Sequence, residues 1–204
     1  MKKTIFTLAL LAGLSGAAQA QRNISLGLKA GGTYSTFVGD NANYTYPLTS
    51  TKSMFGFHAG AFVNIGITKL FAFQPELIYS EKGTKYTNID NFTRLGYLDI
   101  PLAFHVNADG LFFEAGPQVG FLLNAKNKSG SISTDVKDSY NDIDFGYLFG
   151  LGYQRKSGPG IGLRYNGGFT NVRPSAQLTP ITSFQPRIRN SAFQLYLTYS
   201  FGGN

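Results

Sequence analysis

Eight stretches of this chain alternate apolar with polar or small side chains, residue by residue, and none repeats apolar residues at the three-and-four spacing of a helix. A period of two puts successive side chains on opposite faces of an extended strand. The stretch FAFQPELIYSEKG, residues 71–83, shows the pattern. Phe71, Phe73, Leu77 and Tyr79 fall on one face; Ala72, Gln74, Glu76 and Ser80 fall on the other. In a soluble sheet the polar face meets water and the apolar face meets a core. In a membrane barrel the sense inverts: apolar side chains face lipid and polar ones face the lumen.

The other seven stretches are ISLGLKAGGTYS (24–35), MFGFHAGAFVNI (54–65), LGYLDIPLAFHV (95–106), LFFEAGPQVGFLLN (111–124), DFGYLFGLGYQ (144–154), GIGLRYNGGF (160–169) and AFQLYLTYSF (192–201). Each is near the roughly 9–11 residues that a tilted strand needs to cross a bilayer. Their polar faces carry many glycines, too small to form a solvated exterior but suited to the crowded inside of a narrow barrel. Composition agrees with a lipid-facing β surface. Only 14% of residues are charged, against about 25% in soluble domains.

The connections sharpen the reading. GITK, NADG and RKSGP are tight hairpin turns between the second and third, fourth and fifth, and sixth and seventh stretches. The alternate connections, at residues 37–53, 81–94, 125–143 and 171–190, are long. Strict alternation of short and long is the pattern of outer-membrane barrels, with short periplasmic turns and long extracellular loops. The expected fold is all-β: an eight-stranded antiparallel up-and-down transmembrane barrel, its last strand paired to its first and both termini periplasmic. Phe71, Phe113, Tyr153, Tyr199 and Phe201 are expected on the outer wall near the periplasmic rim; Tyr34, Phe55, Tyr79 and Phe145 are expected near the outer rim.

The first residues carry an export signal. Lys2 and Lys3 precede an apolar run from Ile5 to Leu14, and Ala18-Gln19-Ala20 follows as a cleavage pattern. This divides the chain into a signal peptide, residues 1–20, and one barrel domain, residues 21–204. The chain has no cysteine, which excludes disulfides and thiolate metal sites. No cofactor or metal is expected. The net charge of +7 is scattered along an exported chain, which argues against a nucleic-acid partner.

Three motifs, QPELIYSEKG (74–83), YLDIPL (97–102) and FFEAGPQVGFLL (112–123), resemble the outer membrane β-barrel domain family typical of Bacteroidota, often labelled PorT-like. The alternating aromatics that close at Phe201 also resemble the end of an outer-membrane barrel. The resemblance implies insertion in the cell outer membrane, among lipid and lipopolysaccharide. It allows an envelope or secretion protein as partner, since some relatives are associated with type IX secretion.

Two groups of residues are candidates for function. Lys29, His58, Glu76, Asp99, Glu114 and Arg164 sit near mid-strand on the lumen face. Side chains fill an eight-stranded lumen, and a charge buried there needs a partner. Glu76, Asp99 and Glu114 come from neighbouring strands and would repel one another without cations. Arg164 is therefore expected to contact at least one of them, with Lys29 or His58 completing the network. The alternative for His58 is a general acid or base; His105 lies toward the periplasmic end. There is no G-x-S-x-G motif. The Gly-rich stretch at 150–160 has no Walker lysine. No catalytic residue is assigned. The second group is Arg173, Arg187 and Arg189, in a connection restricted by Pro174, Pro180 and Pro186. Guanidinium groups there suit the phosphates and carboxylates of lipopolysaccharide.

The leading functional expectation is a non-enzymatic barrel whose extracellular loops serve surface interaction or envelope integrity. Alternatives are a narrow pore or an accessory of a secretion or transport machine, and a lipid A-modifying enzyme.

Overall fold

The computed structural model of the chain describes residues 24–39, 51–87, 91–155, 157–174 and 187–201. The signal-peptide reading of residues 1–20 lies outside them, as do Pro180 and Pro186. Among the described residues ten strands follow in order: β1 (Ile24–Val38), β2 (Thr51–Lys52), β3 (Met54–Gly66), β4 (Phe71–Tyr86), β5 (Asn91–Ala108), β6 (Leu111–Ser129), β7 (Ile132–Asp135), β8 (Ile143–Gln154), β9 (Gly158–Gly168) and β10 (Arg189–Phe201). Eight of them close a ring in the order β1-β3-β4-β5-β6-β8-β9-β10, and β10 pairs back onto β1. Every pairing is antiparallel, and Leu26↔Phe201 to Val38↔Arg189 form the closing seam.

The period of two sets the facing throughout. On β10, Phe193, Leu195, Leu197, Tyr199 and Phe201 are exposed on the outer wall, while Gln194, Tyr196, Thr198 and Ser200 are buried in the lumen. The wall is built to meet hydrocarbon, because no other solvent would accept so much exposed Leu and Phe. The rim aromatics Phe71, Phe113, Tyr153, Tyr199 and Phe201, and at the other end Tyr34, Phe55 and Phe145, all stand outward. Tyr79 is half-buried on the same wall, against Phe57.

At the short-turn end, Asp109 and Gly110 alone join β5 to β6, both with positive φ (49° and 91°). That is the backbone of a two-residue turn matching the twist of its strands, and Asp-Gly is a sequence that allows it. The long-loop end departs from expectation. Residues 81–94 are not a loop: β4 and β5 stay paired up to Lys85↔Phe92, so the connection proper is 87–90. β6 likewise runs to Ser129 and pairs with β7. At 18 and 19 residues, β5 and β6 exceed what a bilayer crossing needs, so their halves at the long-loop end rise beyond it.

Glycine makes the narrow lumen possible. A Cβ on Gly27 would lie 2.1 Å from the Phe62 ring, and one on Gly162 would lie 2.4 Å from Tyr196. Each glycine is the ladder partner of the ring on the adjacent strand, and the ring lies over it because that position has no side chain.

Candidate functional site in the barrel lumen

From the short-turn end inward, the lumen first opens as a cavity of about 320 Å³, lined among others by Ser25, Asn64, His105, Phe112, Gln154 and Thr198. Its polar side chains largely satisfy one another: the Asn64 amide donates to Gln74 Oε1 (2.9 Å) and Thr198 Oγ1 bonds Gln154 Oε1.

A charged layer closes this cavity. Arg164, on β9, points inward and is almost wholly buried. Its Nη1 and Nη2 donate to the two Glu76 oxygens at 2.9 and 2.8 Å. Its Nε donates to Glu114 Oε1 at 2.8 Å, and Nη2 also donates to Glu114 Oε2. The planar fork of five donors allows one residue to grip two carboxylates. Lys29, on β1, adds a second cation 2.6 Å from Glu76 Oε1. Two acids and two cations leave the layer neutral, which offsets the cost of burying each charge. The Tyr196 ring supports both cations, 4.1 Å from Lys29 Nζ and 5.5 Å from Arg164 Cζ, and its hydroxyl donates to Glu114 Oε1 at 2.7 Å. His105 stacks on Phe112 and places Nε2 3.4 Å from Glu114 Oε2.

The structure separates the remaining candidates from this layer. Asp99 does not join Arg164. It accepts from Ser80 Oγ and from Lys82 Nζ, 3.0 Å from Oδ1. The reason lies in the strand length: β4 carries Lys82 into the ring, one inward rung beyond Ser80, where the sequence reading ended in a loop. Among the described residues His58 completes no ion pair. Its Nδ1 lies 3.0 Å from Thr33 Oγ1 and its ring stands edge-on to Tyr196. Among the described residues no carboxylate pairs with the imidazole: His58 meets Thr33, whereas Asp99 meets Ser80.

Beyond this rung, Asp144 accepts from Asn190 Nδ2 and Thr170 Oγ1, both at 2.8 Å. An apolar cluster then covers the lumen, with Phe37, Leu95, Tyr97, Leu122, Val172 and Ile188 among its members. Backbone bonds tie the cover together: Asn141 N–H to Val172 O at 2.9 Å and Val172 N–H to Ile188 O at 2.8 Å.

The three loop arginines do not form one cluster. Arg173 packs over the Tyr140 ring and donates to its hydroxyl at 3.0 Å. Arg187 and Arg189 line a separate cavity of about 170 Å³ with Phe169 and Asn171. Lys82, Tyr196, Asp144 and Asn190 were not singled out from sequence. Tyr196 and Asn190 carry the right signal, since both fall on the inward parity of the last strand.

No curated protein sequence matches the chain. Among solved structures, Neisserial surface protein A (NspA) superposes with a TM-score of 0.51 at 14% identity, over 86% of this chain and 97% of that one. Ail, the attachment invasion locus protein of Yersinia pestis, gives 0.48 at 13% identity, over 88% and 99%. Residues 17–173 match the family model described as outer membrane protein beta-barrel domain. With an eight-stranded ring, an apolar outer wall and a charge-paired interior, the chain belongs to the outer membrane protein β-barrel domain family and is a protein of the outer membrane.

Proposed function

We propose that this barrel is a non-enzymatic surface protein whose lumen is a structural plug and whose long-loop end faces outward to meet the cell's surroundings. One observation carries the reading: the lumen is crossed by a neutral, mutually bonded layer of Arg164, Lys29, Glu76 and Glu114 and then covered by apolar side chains. Ions would have to break a buried charge network and pass an apolar barrier. Short turns are periplasmic in barrels of this class, so both termini lie on the periplasmic side. The motifs at 74–83, 97–102 and 112–123 support a PorT-like, Bacteroidota-type member of the family.

Planar-bilayer recording tests the plug, with no stable channel steps expected from the wild type. Regular single-channel openings would favour the pore reading instead. Orientation is tested separately. The chain has no cysteine, so Ile132→Cys on β7 and Asp109→Cys in the two-residue turn each introduce a unique label site. A membrane-impermeant maleimide on intact cells should label the first and spare the second. The reverse result would invert the barrel.

A further inference from the structure

Alternation along β10 continues past its apolar residues. Phe193, Leu195 and Leu197 stand on the lipid-facing wall, and Arg189 heads the same column two rungs above Phe193. Arg189 is half-buried, and its partner across the seam is the exposed Val38. The guanidinium thus stands where the hydrocarbon wall gives way to the headgroup level.

Beside this column runs a continuous band of rings across β8, β9 and β10. Phe193 meets Tyr165 at 5.0 Å, Tyr165 meets Phe149 at 5.2 Å, and Tyr147 meets Phe169 at 4.9 Å. Gly167 gives Tyr147 its seat, since a Cβ there would lie 2.6 Å from the ring. Phe169, 64% exposed, ends the band and also lines the cavity holding Arg187, Arg189 and Asn171. Among the described residues neither arginine has a carboxylate at ion-pair distance. Arg189 Nε is buried without a hydrogen-bond partner. A cationic cavity with an unmet donor, directly above an aromatic wall inside a membrane, has the two-part chemistry of an anionic lipid. Guanidinium forks match phosphate oxygens, and flat rings accept acyl chains.

We propose that the β8–β9–β10 wall binds a phosphorylated glycolipid of the outer leaflet, with a phosphate in the Arg187–Arg189 cavity and acyl chains along the band from Phe169 to Phe193. The assignment to that leaflet rests on the outward orientation of the long-loop end.

Native mass spectrometry of the full chain in detergent, titrated with diphosphorylated lipid A, dephosphorylated lipid A or phosphatidylcholine, tests the site. Diphosphorylated lipid A should be retained at least about tenfold more strongly than either other lipid, the scale of one desolvated charge contact. Arg187→Glu/Arg189→Glu should abolish that preference, and Phe169→Ala should weaken retention of all acylated ligands. Arg155→Glu, at the short-turn end, should leave it unchanged. Arg187→Lys/Arg189→Lys keeps the charge and should retain part of the preference; heat-dependent gel mobility confirms that each variant folds. Equal retention by wild type and the double glutamate variant overturns the site. Displacement of the lipid by equimolar inorganic phosphate overturns its lipid character and assigns a soluble anion instead. The measurement is blind to how the barrel sits in a membrane, so its failure is distinct from failure of the orientation.

Discussion

Arg164 on β9 and Glu76 on β4 meet across the full width of the lumen. Four positions separate their strands in either direction around the ring of eight, and the two strands share no backbone pairing. The contact is a strut between opposite walls, made by side chains alone. Arg164→Ala leaves Glu76, Glu114 and Lys29 with one cation for two buried acids. Unfolding by denaturant in micelles should show a loss of about 3–5 kcal/mol, the cost of breaking a buried pair. Arg164→Lys should recover only part of it, because a point charge cannot grip two carboxylates bidentately. A loss below about 1 kcal/mol for the alanine variant, the range of exposed pairs, would remove the strut.

Lys82 and Asp99 form a second, independent pair on neighbouring strands. Lys82→Met alone should cost about 3–5 kcal/mol, because it strands the carboxylate. Adding Asp99→Asn should return most of that loss. If the double variant is no more stable than the single one, the two residues are not coupled.

Tyr196 lies flat over Gly162, and both charged side chains of the central layer rest on its ring. Gly162→Val forces the ring away and should destabilise the barrel by about 1–3 kcal/mol, the usual cost of overpacking. Combining it with Tyr196→Leu should give a non-additive cycle. Additive effects would mean that the ring and its ladder partner do not press on each other.

Leu197 marks mid-wall, with Thr198 beside it in the lumen. Leu197→Arg should cost about 2–4 kcal/mol, as for a cation at the midplane of a barrel's lipid face. Tolerance there would show that this wall is not in hydrocarbon.

The facing of every ring strand was legible in the sequence, because alternation is strong wherever one side is lipid and the other is not. The central layer was legible in part: Lys29, Glu76, Glu114 and Arg164 share the inward parity, and one basic fork among acids must find them. Lys82 was lost for a physical reason. Where β4 and β5 leave the membrane, the outward side becomes polar too, as at Glu81, Lys85 and Arg94. With polar residues on both faces the contrast disappears, and a paired strand reads as a loop. Asp99 therefore stands in the sequence as one of three acids open to Arg164, because its nearer cation is hidden in this way. His58 has the parity of a network member, but parity does not report its ladder neighbours: its rung holds Gly31 and Ser80, and the ring bonds Thr33 diagonally.

The seam between β1 and β10 has a consequence for how the molecule comes into being. Its rungs join Leu26 to Phe201 and Val38 to Arg189, so the two edges lie at opposite ends of the polypeptide. Every other ring contact links neighbours along the chain. Closing the largest loop is the slowest kind of step, since its entropy is lost before any contact repays it. Until β10 is in place, β1 presents an open row of amides and carbonyls, the kind of edge to which another chain readily adds. Synthesis and export deliver that last strand after all the others. The half-built barrel is thus the species most exposed to aggregation, and the timing of one hairpin, β9 to β10, decides whether the ring closes on itself or on a neighbour.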